Sequence, residues 1–277
     1  MRSPSVVLTF GAALLALLSM LSSTPAPTRA ASPSLNVAGN LAKGLTLTAT
    51  VRSGPYFANE AMIVQVRVKN STSRTITVQT PTSCIFSAQV DVVSKPVATG
   101  VQLPPASLCS NLPTSHTIAA GGAFSASTAA VIPQITGKTG QQFKARLHIY
   151  AHVTWIGGPK IANPNVLGGV VSIPVAALHS TGGGTPQQTL RISVTRAADS
   201  FTVHVGDGRG RPVTGAIGWY VVHAPDGDLA WGETSAGTIY CASGCASGTG
   251  KGVYSFTVMM MRDGYSLGAL TVRYAAS

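Results

Sequence analysis

The sequence predicts an all-β protein: two immunoglobulin-like β-sandwich domains joined by a Gly-rich linker, after an N-terminal signal peptide. Three observations carry this. Short runs of alternating apolar and polar residues recur along the chain, with Gly, Pro and Asn between them, as half-buried strands require. Nothing in the first module keeps a sustained helical period. Finally, 45% of residues are hydrophobic but only 10% are charged, and Thr and Ser are plentiful. That balance excludes a disordered chain and suits extracellular sandwiches with hydroxyl-rich outer faces.

Residues 1–30 read as the signal peptide. Arg2 supplies a positive start, "VVLTFGAALLALLSML" an apolar core, and "SSTPAPTRA" a small-residue end with cleavage expected after Ala30. An uncleaved anchor is the alternative. No Cys lies near the cleavage region, which argues against a lipid anchor. No later stretch approaches the roughly 20 apolar residues that a spanning helix needs.

Residues 31–42 read as a flexible lead, and residues 43–178 as the first sandwich. Its strand-like runs are "GLTLTATVR", "AMIVQVRVKN", "TITVQT", "IFSAQVDVVS", "HTIAAGGAFSASTAAVI", "FKARLHIYAHVTWI" and "GGVVSIPVAAL". In the second run Met62, Val64, Val66 and Val68 alternate with Ile63, Gln65, Arg67 and Lys69. "HSTGGGTPQQ", residues 179–188, reads as the linker. Residues 189–277 carry seven short runs with turns such as "GDGRGRP", "PDGD" and "RDGY", the grammar of a seven-stranded sandwich. Trp219 alternates with Ile217 and Val221 and is expected in that module's core. Tyr254 is expected at a sandwich corner.

Cys84, Cys109, Cys241 and Cys245 fall two and two. An even count in an exported chain favours disulfides. Three pairings are formally open, and Cys84–Cys109 with Cys241–Cys245 is the simplest. "CASGC" has knuckle-like spacing, but no second Cys or His pair follows it, so no metal site is expected.

The formal net charge is +11. Residues 31–180 hold ten Lys and Arg against two acids, net +8, while residues 181–277 hold seven against six, net +1. Within "KARLHIYAHV", Lys144, Arg146, His148, Tyr150 and His152 share one face of a strand. Arg67 and Lys69 form a second such row, and the two rows would merge if their strands were neighbours. The merged face would hold an anionic cell-wall polymer, a glycan or a protein. The alternative is the wet face of an ordinary sheet, where Lys and Arg guard against edge pairing. Trp155, beside "GGP", is a further candidate contact. His148 and His152 lie about 13 Å apart in a strand, too far to share an ion. Consecutive Met259, Met260 and Met261 point to opposite faces, which favours packing over copper binding. Asn70-Ser71-Thr72 is formally a glycosylation sequon. No nucleophile motif, paired acids or dinucleotide fingerprint is present, so no catalytic residue, enzyme activity or cofactor is expected. No nucleic-acid partner is expected either.

Two stretches resemble known families. "VRVKNSTSRTITVQTPTSCIFSAQVDV" followed by "HTIAAGGAFSAS" resembles the BsuPI-type intracellular proteinase inhibitor domain over half of the first module. "IAAGG" lacks the Pro of that family's pattern. The resemblance implies an inhibitor whose protruding loop would be "KPVATGVQLPPASLCSNLPTS", and it carries over no inhibitory residue. "GRGRPVTGAIGWYVVHAPDGD" resembles bacterial immunoglobulin-like and prealbumin-like domains, which implies fold only. The leading expectation is a secreted or cell-surface, non-catalytic binding or adhesion protein. An inhibitor-like protein and a structural envelope component are the alternatives.

Overall fold

A computed structural model describes residues 34–42, 44–52, 54–95, 97–157, 165–177, 188–240, 246 and 251–275. The expected signal peptide, most of the linker, Cys241 and Cys245 lie outside the described residues. The first-half strands are β1 (Ser34–Ala42), β2 (Leu45–Thr50), β3 (Tyr56–Phe57), β4 (Ala61–Asn70), β5 (Ile76–Thr80) and β6 (Phe86–Val93). They continue with β7 (Ala98–Thr99), β8 (Thr114–Ile118), β9 (Ala123–Val131), β10 (Gln142–His152), β11 (Trp155–Ile156) and β12 (Asn165–Ala176). One sheet has the order β1-β2-β4-β9, and the second has the order β3-β12-β10-β6-β7. A small sheet, β11-β5-β8, completes this half.

Alternation decides what each strand buries. In β4, Met62, Val64, Val66 and Val68 are buried, while Gln65, Arg67 and Lys69 are exposed. In β10, Ala145, Leu147, Ile149 and Ala151 are buried. The two inward rows belong to one core, joined by Leu45, Leu47, Phe86, Val90 and Val92. Fully burying a Val, Leu or Phe side chain stabilises by about 1.5–3 kcal/mol. The lead expected to be flexible forms β1 instead, antiparallel to β2 from Ser34↔Thr50 to Ala38↔Thr46. It covers a β2 edge that would otherwise present unpaired backbone groups.

Asn70, within the formal sequon, is completely buried. Its Nδ2 donates to the carbonyls of Arg74, Ile118 and Ala119, and its Oδ1 accepts from the N–H and hydroxyl of Thr72. The side chain organises the β4–β5 turn and offers nothing to solvent. Cys84 and Cys109 form the expected disulfide across 25 residues of chain. This bond fits an oxidising compartment outside the cytoplasm.

The second half contains β13 (Arg191–Arg196), β14 (Ser200–Gly206), β15 (Ile217–Ala224), β16 (Gly227–Ser235), β17 (Gly237–Tyr240), β18 (Val253–Met261) and β19 (Gly268–Ala275). β13-β14-β17 forms one sheet and β16-β15-β18-β19 the other. Counted within this half, strands one, two and five face strands four, three, six and seven, an immunoglobulin-like arrangement. Phe201 stacks on Phe256 at 4.2 Å and Tyr254 on Tyr274 at 5.6 Å inside it. Asp207 closes the "GDGRGRP" turn by accepting from the backbone N–H groups of Arg209 and Arg211 and from Arg211 Nε.

Trp219 departs from expectation. It is 5% exposed, yet the core-facing residues around it are Val222 on β15 and Phe256, Val258 and Met260 on β18. Trp219, Val221 and Met261 face outward from their sheet and are covered by Ala61, Leu103, Leu108 and Ala129 of the first half. The sequence reading located an inside face correctly in kind, but this face is a seam between sandwiches. Gly218 lets β15 and β18 approach closely there, because a Cβ would stand 1.9 Å from the Met259 carbonyl oxygen. Met260 packs in the core while Met259 and Met261 pack at the seam, so consecutive methionines do serve opposite faces.

Polar contacts lock the same seam. β2 pairs with β4 only as far as Thr50↔Gln65, which leaves the start of β4 with an open edge. The "RDGY" turn fills it. Asp263 Oδ1 accepts from Ile63 N–H at 3.0 Å, and the Tyr265 carbonyl accepts from Ala61 N–H at 2.8 Å. Gly264, at φ +86°, takes the left-handed conformation that this turn needs and donates its N–H to Glu60. Glu60, 1% exposed, is also paired with Arg52 at 2.5 Å and accepts from Phe57 N–H. Burial pushes its carboxyl above the usual range, and the Arg52 charge opposes that shift.

Candidate functional site

The outer face of the β3-β12-β10-β6-β7 sheet is built in cross-strand rows. Pro174, Lys144 and Val93 form one row, Ser172, Arg146, Asp91 and Thr99 the next, and Val170, His148 and Gln89 a third. Lys144 and Arg146 are exposed, while His148, Tyr150 and His152 are half-buried. The five side chains do share a face. They differ in availability. His148 Nε2 lies 3.2 Å from Asp91 Oδ2, and its ring stacks on Tyr150 at 6.4 Å. His152 Nε2 is 2.7 Å from Ser87 Oγ.

Arg67 and Lys69 are not part of this face. β4 belongs to the opposite sheet, where Arg67 sits between Thr48 and Ser125 and Lys69 between Thr46 and Ala123. Period-2 alternation reports inside against outside, and both rows are outside, but on opposite sides of the sandwich. Trp155 is half-buried and pairs with Gln79 on β5, as part of the small sheet.

Two other lysines join Lys144 and Arg146. Lys144 lies opposite Val93, the last residue of β6, and Lys95 follows two positions later. Lys138 belongs to the tight turn that leads into β10, where Gln141 N–H donates to the Lys138 carbonyl. Lys95, Lys138, Lys144 and Arg146 are exposed at this same end of the sheet. Of the described acids of this half, Glu60 is paired with Arg52 away from this face, while Asp91 lies within it, opposite Arg146 and 3.2 Å from His148. Among the described residues no ion pair holds Arg67, Lys69, Arg74, Lys95, Lys138, Lys144 or Arg146. Lys95 and Lys138 could not be grouped from sequence because their meeting depends on which strands are neighbours.

The loop expected to protrude as an inhibitor would does not do so along its length. Leu103 and Leu108 are each 2% exposed and pack at the seam, with a 3₁₀ turn over Ala106–Leu108 between them and Cys109. Val97, Val101 and Leu112 are the exposed large apolar residues of that stretch. Among the described residues no group of three or more His, Cys, Asp or Glu is placed to hold a metal, and no helix is long and apolar enough to cross a membrane.

A cleft opens beside the seam. Two adjoining cavities of about 180 and 200 Å³ share Ser127, Trp219 and Glu233, and the first also reaches Trp231 and His116. The register explains the grouping: Trp219 faces Glu233 across β15 and β16, and Val221 faces Trp231, so all four project from one face. Glu233 accepts from Ser127 N–H, but loss of water around it raises its carboxyl pKa. Burial lowers the His116 pKa, and that ring lies 4.5 Å from Phe124. Sequence reasoning missed this cleft. The available signal was "AIGWYVV", apolar on both faces of β15, which marks a strand covered on both sides.

No family model and no curated protein matches the sequence. Solved structures that align with it include red sea bream transglutaminase, at 14% identity and TM-score 0.26, covering 83% of this chain and 31% of that one. The CsuC–CsuE chaperone–tip adhesion subunit complex of Acinetobacter baumannii Csu pili aligns at 11% identity and TM-score 0.20, over 81% of this chain and 97% of that one. The E. coli chaperone DraB aligns at 10% identity and TM-score 0.22, over 83% and 96%. The chain thus spans about a third of the transglutaminase's length. The fold assignment rests on this chain's own sheet orders, which make it an all-β protein of immunoglobulin-like sandwiches.

Proposed function

We propose that the mature chain is an exported, non-catalytic binding protein of the cell surface or its surroundings. Its first sandwich holds an anionic envelope polymer, such as cell-wall phosphate or acidic glycan, against the Lys144–Arg146 end of the outer sheet. One observation carries the reading: four exposed cations, Lys95, Lys138, Lys144 and Arg146, lie toward one end of one sheet, where the single acid of the face, Asp91, stands opposite Arg146 and 3.2 Å from His148. Clustered like charge raises the local concentration of polyanions and is screened by salt. The Cys84–Cys109 disulfide and the apolar leader support export.

The test is retention of the mature protein on washed envelopes across a salt series. Retention is expected at low salt, falling steeply as salt rises. Combining Lys144→Glu with Arg146→Glu is expected to weaken it by about tenfold or more at low salt. Equal retention of the double variant and the wild type at every salt concentration would overturn the reading.

A further inference from the structure

The cleft at the seam differs in charge from the Lys144–Arg146 end of the outer sheet. Its lining carries one acid, Glu233, and no Lys or Arg. Among the described residues Glu233 has no cationic partner, and its carboxylate accepts from a single backbone N–H. Of the seven other acids, Glu60, Asp91, Asp207 and Asp228 are paired with Arg or His, Asp263 caps a backbone N–H, and Asp199 and Asp226, like Glu233, have no ion pair among the described residues. Glu233 matters because it lines a cleft beside two indoles.

Its neighbours supply the rest of a site. Trp219 and Trp231 are diagonal partners on the face that carries Glu233. Trp219 is packed into the seam, whereas Trp231 is half-buried and Glu233 is exposed at the mouth. An indole face attracts a cation through its quadrupole, and a carboxylate beside it supplies full charge and hydrogen-bond acceptance. His116 adds no opposing charge near neutral pH, because burial lowers its pKa. Ser127 lines both cavities and holds Glu233 through its N–H, while its hydroxyl donates to Gln65 Oε1. A space of about 180 Å³ suits one ammonium or guanidinium group with its attached methylenes, and is small for a folded partner's surface.

We propose that this cleft binds a single organic cation, an ammonium or guanidinium group, between the Trp231 indole and the Glu233 carboxylate. The proposal is independent of the polyanion reading, which concerns a different surface. Such a group would come either from a free small amine or from the Lys or Arg side chain of an extended peptide.

The experiment follows tryptophan fluorescence of the mature protein during titration with N-acetyl-lysine methylamide and N-acetyl-arginine methylamide. The uncharged N-acetyl-norleucine methylamide is the control, and a Gly-flanked lysine pentapeptide forms the second arm. Saturable change with the cationic amides, at dissociation constants on the order of millimolar, is expected. Glu233→Gln, an isosteric change at an exposed site, is expected to weaken binding about tenfold, and Trp231→Leu likewise. Lys144→Glu should leave it unchanged. A pentapeptide binding about tenfold tighter than the amide assigns the group to a peptide, and equal binding assigns it to a free amine. Equal response to the norleucine control, unchanged binding by Glu233→Gln, or no response up to about 50 mM probe would overturn the proposal.

Discussion

Two outer sheet faces of this molecule had opposite fates. The face of β10 remains wet, with Lys144 and Arg146 exposed beside half-buried His148 and Tyr150. The face of β15 and β18 is covered, with Trp219, Val221 and Met261 packed under Leu103 and Leu108 from the other sandwich. Strand geometry is the same in both. The difference lies in residue type on the second face of each strand: polar in β10, apolar in β15. One-sided alternation describes a strand at the surface of its sandwich, and two-sided apolarity describes a strand that something else must cover.

The largest effect expected from this contrast is at the covered face. Trp219→Ala should destabilise the protein by about 3–5 kcal/mol, because it leaves a cavity where two sandwiches meet. Urea unfolding measures this. A loss below about 1 kcal/mol would mean that the seam contributes little to the fold.

A smaller effect separates a carboxylate whose pKa is set by burial from one whose pKa is set by hydrogen bonds. Glu60 is buried at the seam with its pKa raised by burial, while backbone and side-chain hydrogen bonds from Arg211 and Arg209 hold Asp207 below its usual value. Unfolded Glu titrates near about 4.3. Between there and its higher folded pKa, the folded state binds more protons at Glu60, so that stability contribution falls as pH rises. Relative to Glu60→Gln, the wild type should therefore gain stability as pH falls through the raised folded pKa toward the unfolded value of about 4.3. Asp207 has the opposite sign. Its contribution is complete above the unfolded Asp pKa of about 3.9 and is lost as pH falls through the lower folded value. Relative to Asp207→Asn, the wild type should lose stability below about pH 4. Parallel trends for the two pairs, in urea titrations at each pH, would contradict the assignment.

The smallest effect belongs to the wet face. Lys144→Ala and Arg146→Ala should each change stability by no more than about 0.5 kcal/mol. A larger loss would show that the row is structural, which would also undercut its use as a binding surface.

How much of this was legible follows from the same geometry. The alternation of "AMIVQVRVKN" and "KARLHIYAHV" assigned inside and outside correctly from Met62 to Lys69 except for half-buried Ile63, and from Lys144 to Ala151 except for half-buried His148 and Tyr150. It could not say that β4 and β10 lie in different sheets, and so Arg67 and Lys69 were grouped with a row that they never meet. Cys84 and Cys109 were paired correctly because they are near in sequence and share a module. Trp219 was read as core because a large apolar residue on an alternating strand looks the same against its own sandwich or a neighbour's. β1 was missed since "SLNVAGNLA" has weak alternation, and its strand state comes from pairing with β2. The cleft residues Trp231 and Glu233 depend on which body lies over β16, which no local pattern encodes.

The "RDGY" turn on the open start of β4 has a practical corollary for anyone cutting this chain into pieces. Severed from its companion, the first sandwich would present bare N–H groups at Ala61 and Ile63 beside uncovered Leu103 and Leu108. A naked strand end next to an oily patch is a template for self-association. Each sandwich thus covers what the other would leave bare, and they should be expressed and mutated as one object.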